Sequence, residues 1–212
     1  MAWLRAYAAA TGTAASWEKI RDAATSGISD KPAKTTTMPY IELLTMLRIL
    51  DPVAAWVPSN NHLQALTQQP KHHLADPALA ARLVRRTATQ LLQGNAPEPI
   101  VPRDGGFLGG AFESLAALSL RTFAQRCDAR VYHLRTDGGR HEVDFIVESD
   151  NGIIGFEVKL ASSIDNQDVR HLLWLREQTG AECIDLAVLN TGPEAYRRPD
   201  GIAVIPLALL GP

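Results

Sequence analysis

Two spacings of apolar residues organise the second half of the chain. From Leu108 to about Cys127 they recur at helical intervals: at 100° per residue, Phe112, Ala116, Leu120, Phe123, Ala124 and Cys127 fall on one arc, with Ser114, Arg121 and Gln125 on the far side. The period then shortens to two. Alternate residues of an extended strand share a face, so Val143, Phe145 and Val147 form one apolar face with Glu142 and Asp144 opposite. By the same rule Ile154, Phe156, Val158 and Leu160 form another, with Gly155, Glu157 and Lys159 opposite. Helical spacing returns over residues 165–179 through Val169, Leu172, Leu173 and Arg176, with Trp174 placed to cover a sheet edge and Gly180 as the stop. Residues 184–189 and 201–205 are apolar, β-branched runs of the buried-strand type. This order predicts an α/β domain, a mixed sheet with helices on both sides.

The first half reads differently. Short helical segments are expected near Trp3–Ala10, Ser16–Ala24 and Pro39–Leu50, around a turn at residues 27–30, with Ser16 suited to cap the second helix. Residues 53–57 and 71–75 read as two strands joined by a loop around Ser59, Asn60 and Asn61. Three helices and a β-hairpin make a winged-helix-like α+β domain. The Pro/Gly-rich stretch from Gly94 through Pro102 to Gly105-Gly106 reads as a linker. The expected organisation is therefore 1–93 winged-helix-like domain, 94–107 linker and 108–212 α/β domain. His72 and His73 would point to opposite faces of a strand and so not chelate together, and His62, His133 and His171 read as surface or packing residues.

The charged positions carry the candidate chemistry. Asp144, thirteen residues before Glu157-Val158-Lys159, stands like Glu157 and Lys159 opposite an apolar strand face. Two carboxylates can hold a divalent cation through oxygen ligands, which polarises a phosphoryl oxygen, while an ammonium stabilises the negative charge added at phosphorus. A cross-strand ion pair explains the same residues without chemistry. Glu113 adds a third acid, inside the apolar arc of the helix. A carboxylate among core residues needs a partner, either the metal site or a buried cation such as Lys159.

At Gly110-Ala111-Phe112-Glu113, at Arg135-Thr136 leading into Glu142-Val143-Asp144-Phe145, and at Phe156-Glu157-Val158-Lys159, the chain resembles domain of unknown function 4143, the C-terminal domain of many bacterial and archaeal AAA-type ATPases. That domain is similar to the PD-(D/E)XK restriction-endonuclease-like fold. The resemblance implies that Glu113 is the helix acid, that Glu113, Asp144 and Glu157 ligate Mg2+ or Mn2+, and that Lys159 is the catalytic lysine, with no role assigned to Glu142. It also implies the winged helix and a P-loop ATPase domain as partner. The chain contains no G-x-x-x-x-G-K-[ST], so ATP hydrolysis is not expected of it. Gly105-Gly106 and Gly109-Gly110 read instead as a turn and a close helix approach. The chain is either the C-terminal portion of a longer protein or a lineage without the motor. Two functions follow: Mg2+-dependent phosphodiester hydrolysis on DNA, or a non-catalytic regulatory or protein-interaction module retaining the nuclease fold.

Composition changes little in this picture. The chain has 212 residues, 46% hydrophobic and 21% charged, enough for a real core. Its formal net charge of −2 argues against a strongly basic nucleic-acid binder. DNA contact would then fall to Lys31, Lys34 and Thr35–Thr37 ahead of a helix. Two widely spaced cysteines, Cys127 and Cys183, suggest reduced thiols. With no signal-peptide pattern and no long apolar run, the expected setting is cytoplasmic, without membrane contact.

Overall fold

The computed structural model describes residues 1–25, 33–57, 68–92 and 105–211. The chain divides into two compact units, one of Met1–Pro52 with Lys71–Leu115, the other of Val53–Pro70 with Ala116–Pro212.

The first unit holds helices α1 (Ala2–Ala9), α2 (Trp17–Ala24), α3 (Lys34–Met46), α4 (Pro77–Leu83) and α5 (Ala88–Leu92), and the first half of α6 (Gly105–Arg126). Ser16 caps α2 as expected, its hydroxyl accepting from the Lys19 N–H at 3.3 Å. Tyr7, Ala8, Ile20, Ile41, Leu50, Leu74, Ala80 and Leu83 form the core, flanked by stacked rings of Trp3, Tyr7 and Trp17. The third helix begins at Lys34, so Thr35–Thr37 lie within it and Pro39 is interior. Lys31 and His62 fall outside the described residues, as do residues 93–104 of the expected linker. Gly105 and Gly106 belong to the first turn of α6 and not to a turn before it.

The expected hairpin is not formed by the described residues. The 71–75 segment makes isolated antiparallel bridges, His72 with Thr13 and Leu74 with Leu50, whereas Ala55 in the second unit bridges His133. Backbone groups of both stretches are satisfied by other segments, and only pairing makes a hairpin.

The second unit is a six-stranded mixed sheet in the order β1-β2-β3-β4-β6-β5. Its strands are β1 (Arg130–Arg135), β2 (Glu142–Ser149), β3 (Gly152–Val158), β4 (Cys183–Asn190), β5 (Tyr196–Arg197) and β6 (Ala203–Pro206), with α7 (Arg170–Thr179) between β3 and β4. The first three strands are antiparallel neighbours, β4 and β6 run parallel to β3, and β5 closes the far edge antiparallel. Ala116, Ala117 and Leu120 of α6 pack with Phe145, Phe156, Ala187 and Leu189. Leu172 and Leu175 of α7 pack with Val143, Ile146, Ile153, Leu186 and Val188. The sheet therefore has a helix on each face, as the alternation predicted. The second helix is shorter than expected, starting at Arg170 after a turn in which Asp165 and Asp168 bond each other's main chain. Gly180 ends it at φ +55°.

Candidate nuclease-like site

A bulge in β2 sets the position of Asp144. Tyr132 pairs with Ile146 and Leu134 with Val143, so β2 carries one more residue than β1 between these pairs. The bulge also breaks the predicted apolar face: Phe145 and Val147 pack on the α6 side, while Val143 joins the α7-side cluster. Simple alternation fails there because an extra residue reverses the parity of the strand. Past the bulge, the Asp144 carboxylate accepts the Val158 main-chain N–H at 2.9 Å, which fixes it at the end of β3.

Glu157 and Lys159 follow from the β3 alternation. Ile154, Phe156 and Val158 pack toward α6, leaving Gly155 and Glu157 on the face of α7, where a Cβ on Gly155 would lie within 3.2 Å of methyls of Leu175, Leu186 and Leu172. Glu157 is only 3% exposed. Lys159 Nζ lies 3.1 Å from Glu157 Oε2, and its main-chain N–H donates to the Leu189 carbonyl at 2.8 Å. Burial alone would lower the Lys159 pKa, but Glu157, Asp144 and Asp168 outweigh it and hold the ammonium above its ordinary value. Asp144, Glu157 and Lys159 thus share one electrostatic environment.

Two further residues enter that environment, one from the turn before α7 and one from its first turn, and sequence reasoning missed both. Asp168 acts on Lys159 from the Asp165–Asp168 turn. His171 has its pKa pushed down by burial and by Arg170, His141 and Lys159, with Glu142 opposing. Its ring meets His141 edge-on at 5.6 Å, and His141 stacks on Trp174 at 4.1 Å. Nothing in the spacing of residues 165–179 marks this, because only the sheet crossover brings the first turn of α7 beside the end of β3. Glu142 faces Arg135 at 3.9 Å across the β1–β2 pair.

Glu113 has its partner in the first unit. Its Oε1 lies 2.8 Å from Lys71 Nζ and 3.7 Å from His73 Nε2. His73 Nδ1 is 2.7 Å from the Ser114 hydroxyl, so Ser114, expected on the polar side of its helix, is instead buried. A buried cation does pair with Glu113, but it is Lys71 and not Lys159. His72 turns the other way, its Nε2 2.7 Å from the Ala15 carbonyl and its ring against Trp17 and Tyr7, in keeping with opposite faces for the two histidines. Among the described residues no group of three or more His, Cys, Asp or Glu side chains is placed to hold one metal ion. No described helix is long and apolar enough to cross a membrane.

Residues 1–90 match the family model of a domain of unknown function, DUF8612, and no curated protein matches the chain. Residues 108–210 match the model of another domain of unknown function, DUF4143. The segment that carries Asp144, Glu157 and Lys159 is thus the one that matches DUF4143.

Proposed function

We propose that the second unit is a divalent-cation-dependent phosphodiester hydrolase of the PD-(D/E)XK type acting on DNA. The observation that carries this reading is the cluster at the end of β3, where Asp144 is held by the Val158 N–H at 2.9 Å and Glu157 lies 3.1 Å from Lys159, an ammonium on which Glu157, Asp144 and Asp168 all act. Such an excess of carboxylate is unfavourable unless a cation offsets it. Asp144 and Glu157 offer hard oxygen donors, and two carboxylates suffice for Mg2+, which keeps several waters in its shell. A divalent ion held there would polarise the phosphoryl oxygen and acidify a water. The main-chain bond from Val158 orients the Asp144 carboxylate. Lys159 would leave Glu157 to donate hydrogen bonds to the charge that develops at phosphorus.

The second reading, a non-catalytic interaction module such as a partner of a P-loop ATPase, is favoured by the closed Glu157–Lys159 pair and by the lack of a three-ligand group among the described residues. One experiment separates the two. For the hydrolase, Mn2+ or Mg2+ raises the melting temperature and wild type nicks branched or single-stranded DNA. Asp144→Asn abolishes the thermal response, and Lys159→Ala keeps it while losing cleavage, because the lysine acts on the transition state. A wild type that neither responds to metal nor cuts any DNA form overturns the hydrolase and leaves the interaction module.

A further inference from the structure

The cluster around Glu113 contains a serine hydrogen-bonded to a histidine at 2.7 Å and a glutamate 3.7 Å from that ring, but it is not a nucleophilic site. Ser114 is 2% exposed and His73 1% exposed, so no acyl or phosphoryl donor reaches the hydroxyl. The cluster is a buried network whose charge is balanced internally, with Lys71, 2% exposed, against Glu113.

Its geometry follows from two backbone features. Residues 71–73 run extended, held by the Gly12 N–H to the His72 carbonyl and the His72 N–H to the Thr13 carbonyl, both 2.8 Å. Alternation then points Lys71 and His73 to one side and His72 to the other. On that side lies the first half of α6, brought close by paired glycines. A Cβ on Gly110 would come within 2.6 Å of the Thr11 carbonyl oxygen, and one on Gly12 within 2.8 Å of the Gly110 Cα and 3.5 Å of Glu113 Oε2. Lys71 and His73 lie in the segment matched by DUF8612, Glu113 and Ser114 in the segment matched by DUF4143.

We propose that Glu113 is not a metal ligand in this chain but the anion of a polar lock that fastens the first half of α6 to the 1–90 segment. Glu113 is engaged inside the first unit: Lys71 neutralises it, His73 stands beside it, and both partners are shut from water. Removing Lys71 to expose Glu113 to a metal would break a buried pair, which is strongly destabilising because it leaves a charge without its counter-charge. The division of labour is then that Asp144 and Glu157 belong to the chemistry and Glu113 to the assembly of the first unit.

The test compares thermal unfolding, with and without Mn2+, for wild type and four variants. Glu113→Gln and Lys71→Met each leave one buried charge without its counter-charge, and each lowers the melting temperature by roughly 6 °C or more. The double variant Lys71→Met/Glu113→Leu replaces the pair by apolar groups of similar volume and recovers most of that loss. Ser114→Ala has the smallest effect, because it removes a neutral bond. The metal arm rests on the hydrolase reading: the Mn2+-induced shift persists in the double variant. Loss of that shift in the double variant, with wild type responding, overturns the proposal, as does a Glu113→Gln protein as stable as wild type. Should wild type show neither a shift nor cleavage, the hydrolase reading fails, and the lock still stands or falls on the recovery of the double variant.

Discussion

Gly109 and Gly110 are neighbours in α6, and replacing each by alanine should have opposite effects. At both positions alanine removes the entropic disadvantage of glycine in a helix, a gain of about 0.5–1 kcal/mol. At Gly109 a new Cβ meets nothing within 4 Å, so the gain stands alone. At Gly110 the Cβ would fall 2.6 Å from the Thr11 carbonyl oxygen and 3.3 Å from its carbon. That neighbour is backbone and cannot rotate away. The turn at residues 11–13 is also tied to residue 72 by two main-chain bonds of 2.8 Å, so relief means moving α6 or breaking those bonds. Overpacking of this kind costs about 1–3 kcal/mol, and fixed backbone puts Gly110 toward the upper end. Gly110→Ala should therefore come out about 1–2 kcal/mol less stable than wild type and Gly109→Ala up to about 1 kcal/mol more stable. Urea denaturation followed by tryptophan fluorescence decides it, provided the m-value is unchanged, so that a shifted midpoint reports stability. Two variants moving in the same direction, or a Gly110→Ala protein within error of wild type, would refute the close approach of α6 to the Thr11–Gly12 turn and with it the setting of the Glu113 lock.

Two further outcomes follow from the titratable groups. Burial pushes the His72 pKa below 6.5, against the Ala15 carbonyl, which favours the proton. The unfolded chain then binds more protons just below pH 6.5, so this contribution to stability is complete above that pH and is lost as pH falls through the depressed folded value, at up to about 1.4 kcal/mol per pH unit. Urea midpoints between pH 8 and 5 should fall more steeply for wild type than for His72→Phe, and parallel curves would show that His72 titrates normally. Cys127 is exposed and Cys183 half-buried, with burial raising the Cys183 thiol above its ordinary value. A disulfide reagent should thus label one thiol fast and one slowly, with Cys127→Ser removing the fast phase; two equal rates would contradict the burial of Cys183.

How far the sequence carried depended on whether a feature was local. The α6 arc and the β3 alternation are set by residues a few positions apart, and Leu120, Ala124, Phe156 and Glu157 lie where those periods placed them. The β2 face was half legible, because the bulge that sends Val143 to the α7 side depends on the register with β1. The pairing of residues 71–75 was not legible for a related reason: local composition does not name a strand's partner, and here the bridges go to Thr13 and Leu50. Ser114 looked solvent-facing because a helical wheel records direction and not what waits there, in this case His73 at 2.7 Å. Asp168 and His171 carried no signal at all, since a crossover and not a spacing brings them to Lys159.

The two buried carboxylates of the DUF4143 segment differ in a way that bears on function. Glu113 has its own cation at 2.8 Å, and that cation is itself 2% exposed. Such a pair is static: neither member can leave without exposing the other's charge to a medium that solvates it poorly. Glu157 is more deeply placed, its side chain 4% exposed against 13% for Glu113, yet its partner Lys159 is 31% exposed and answers to Asp144 and Asp168 as well. A part-exposed ammonium shared among several acids can turn to water itself, provided an arriving cation takes over its role toward the buried Glu157 carboxylate. Chemistry needs that exchange, whereas a structural pair is better without it. On the proposed reading, the acid at the end of β3 is the working group and the one on α6 the fastening.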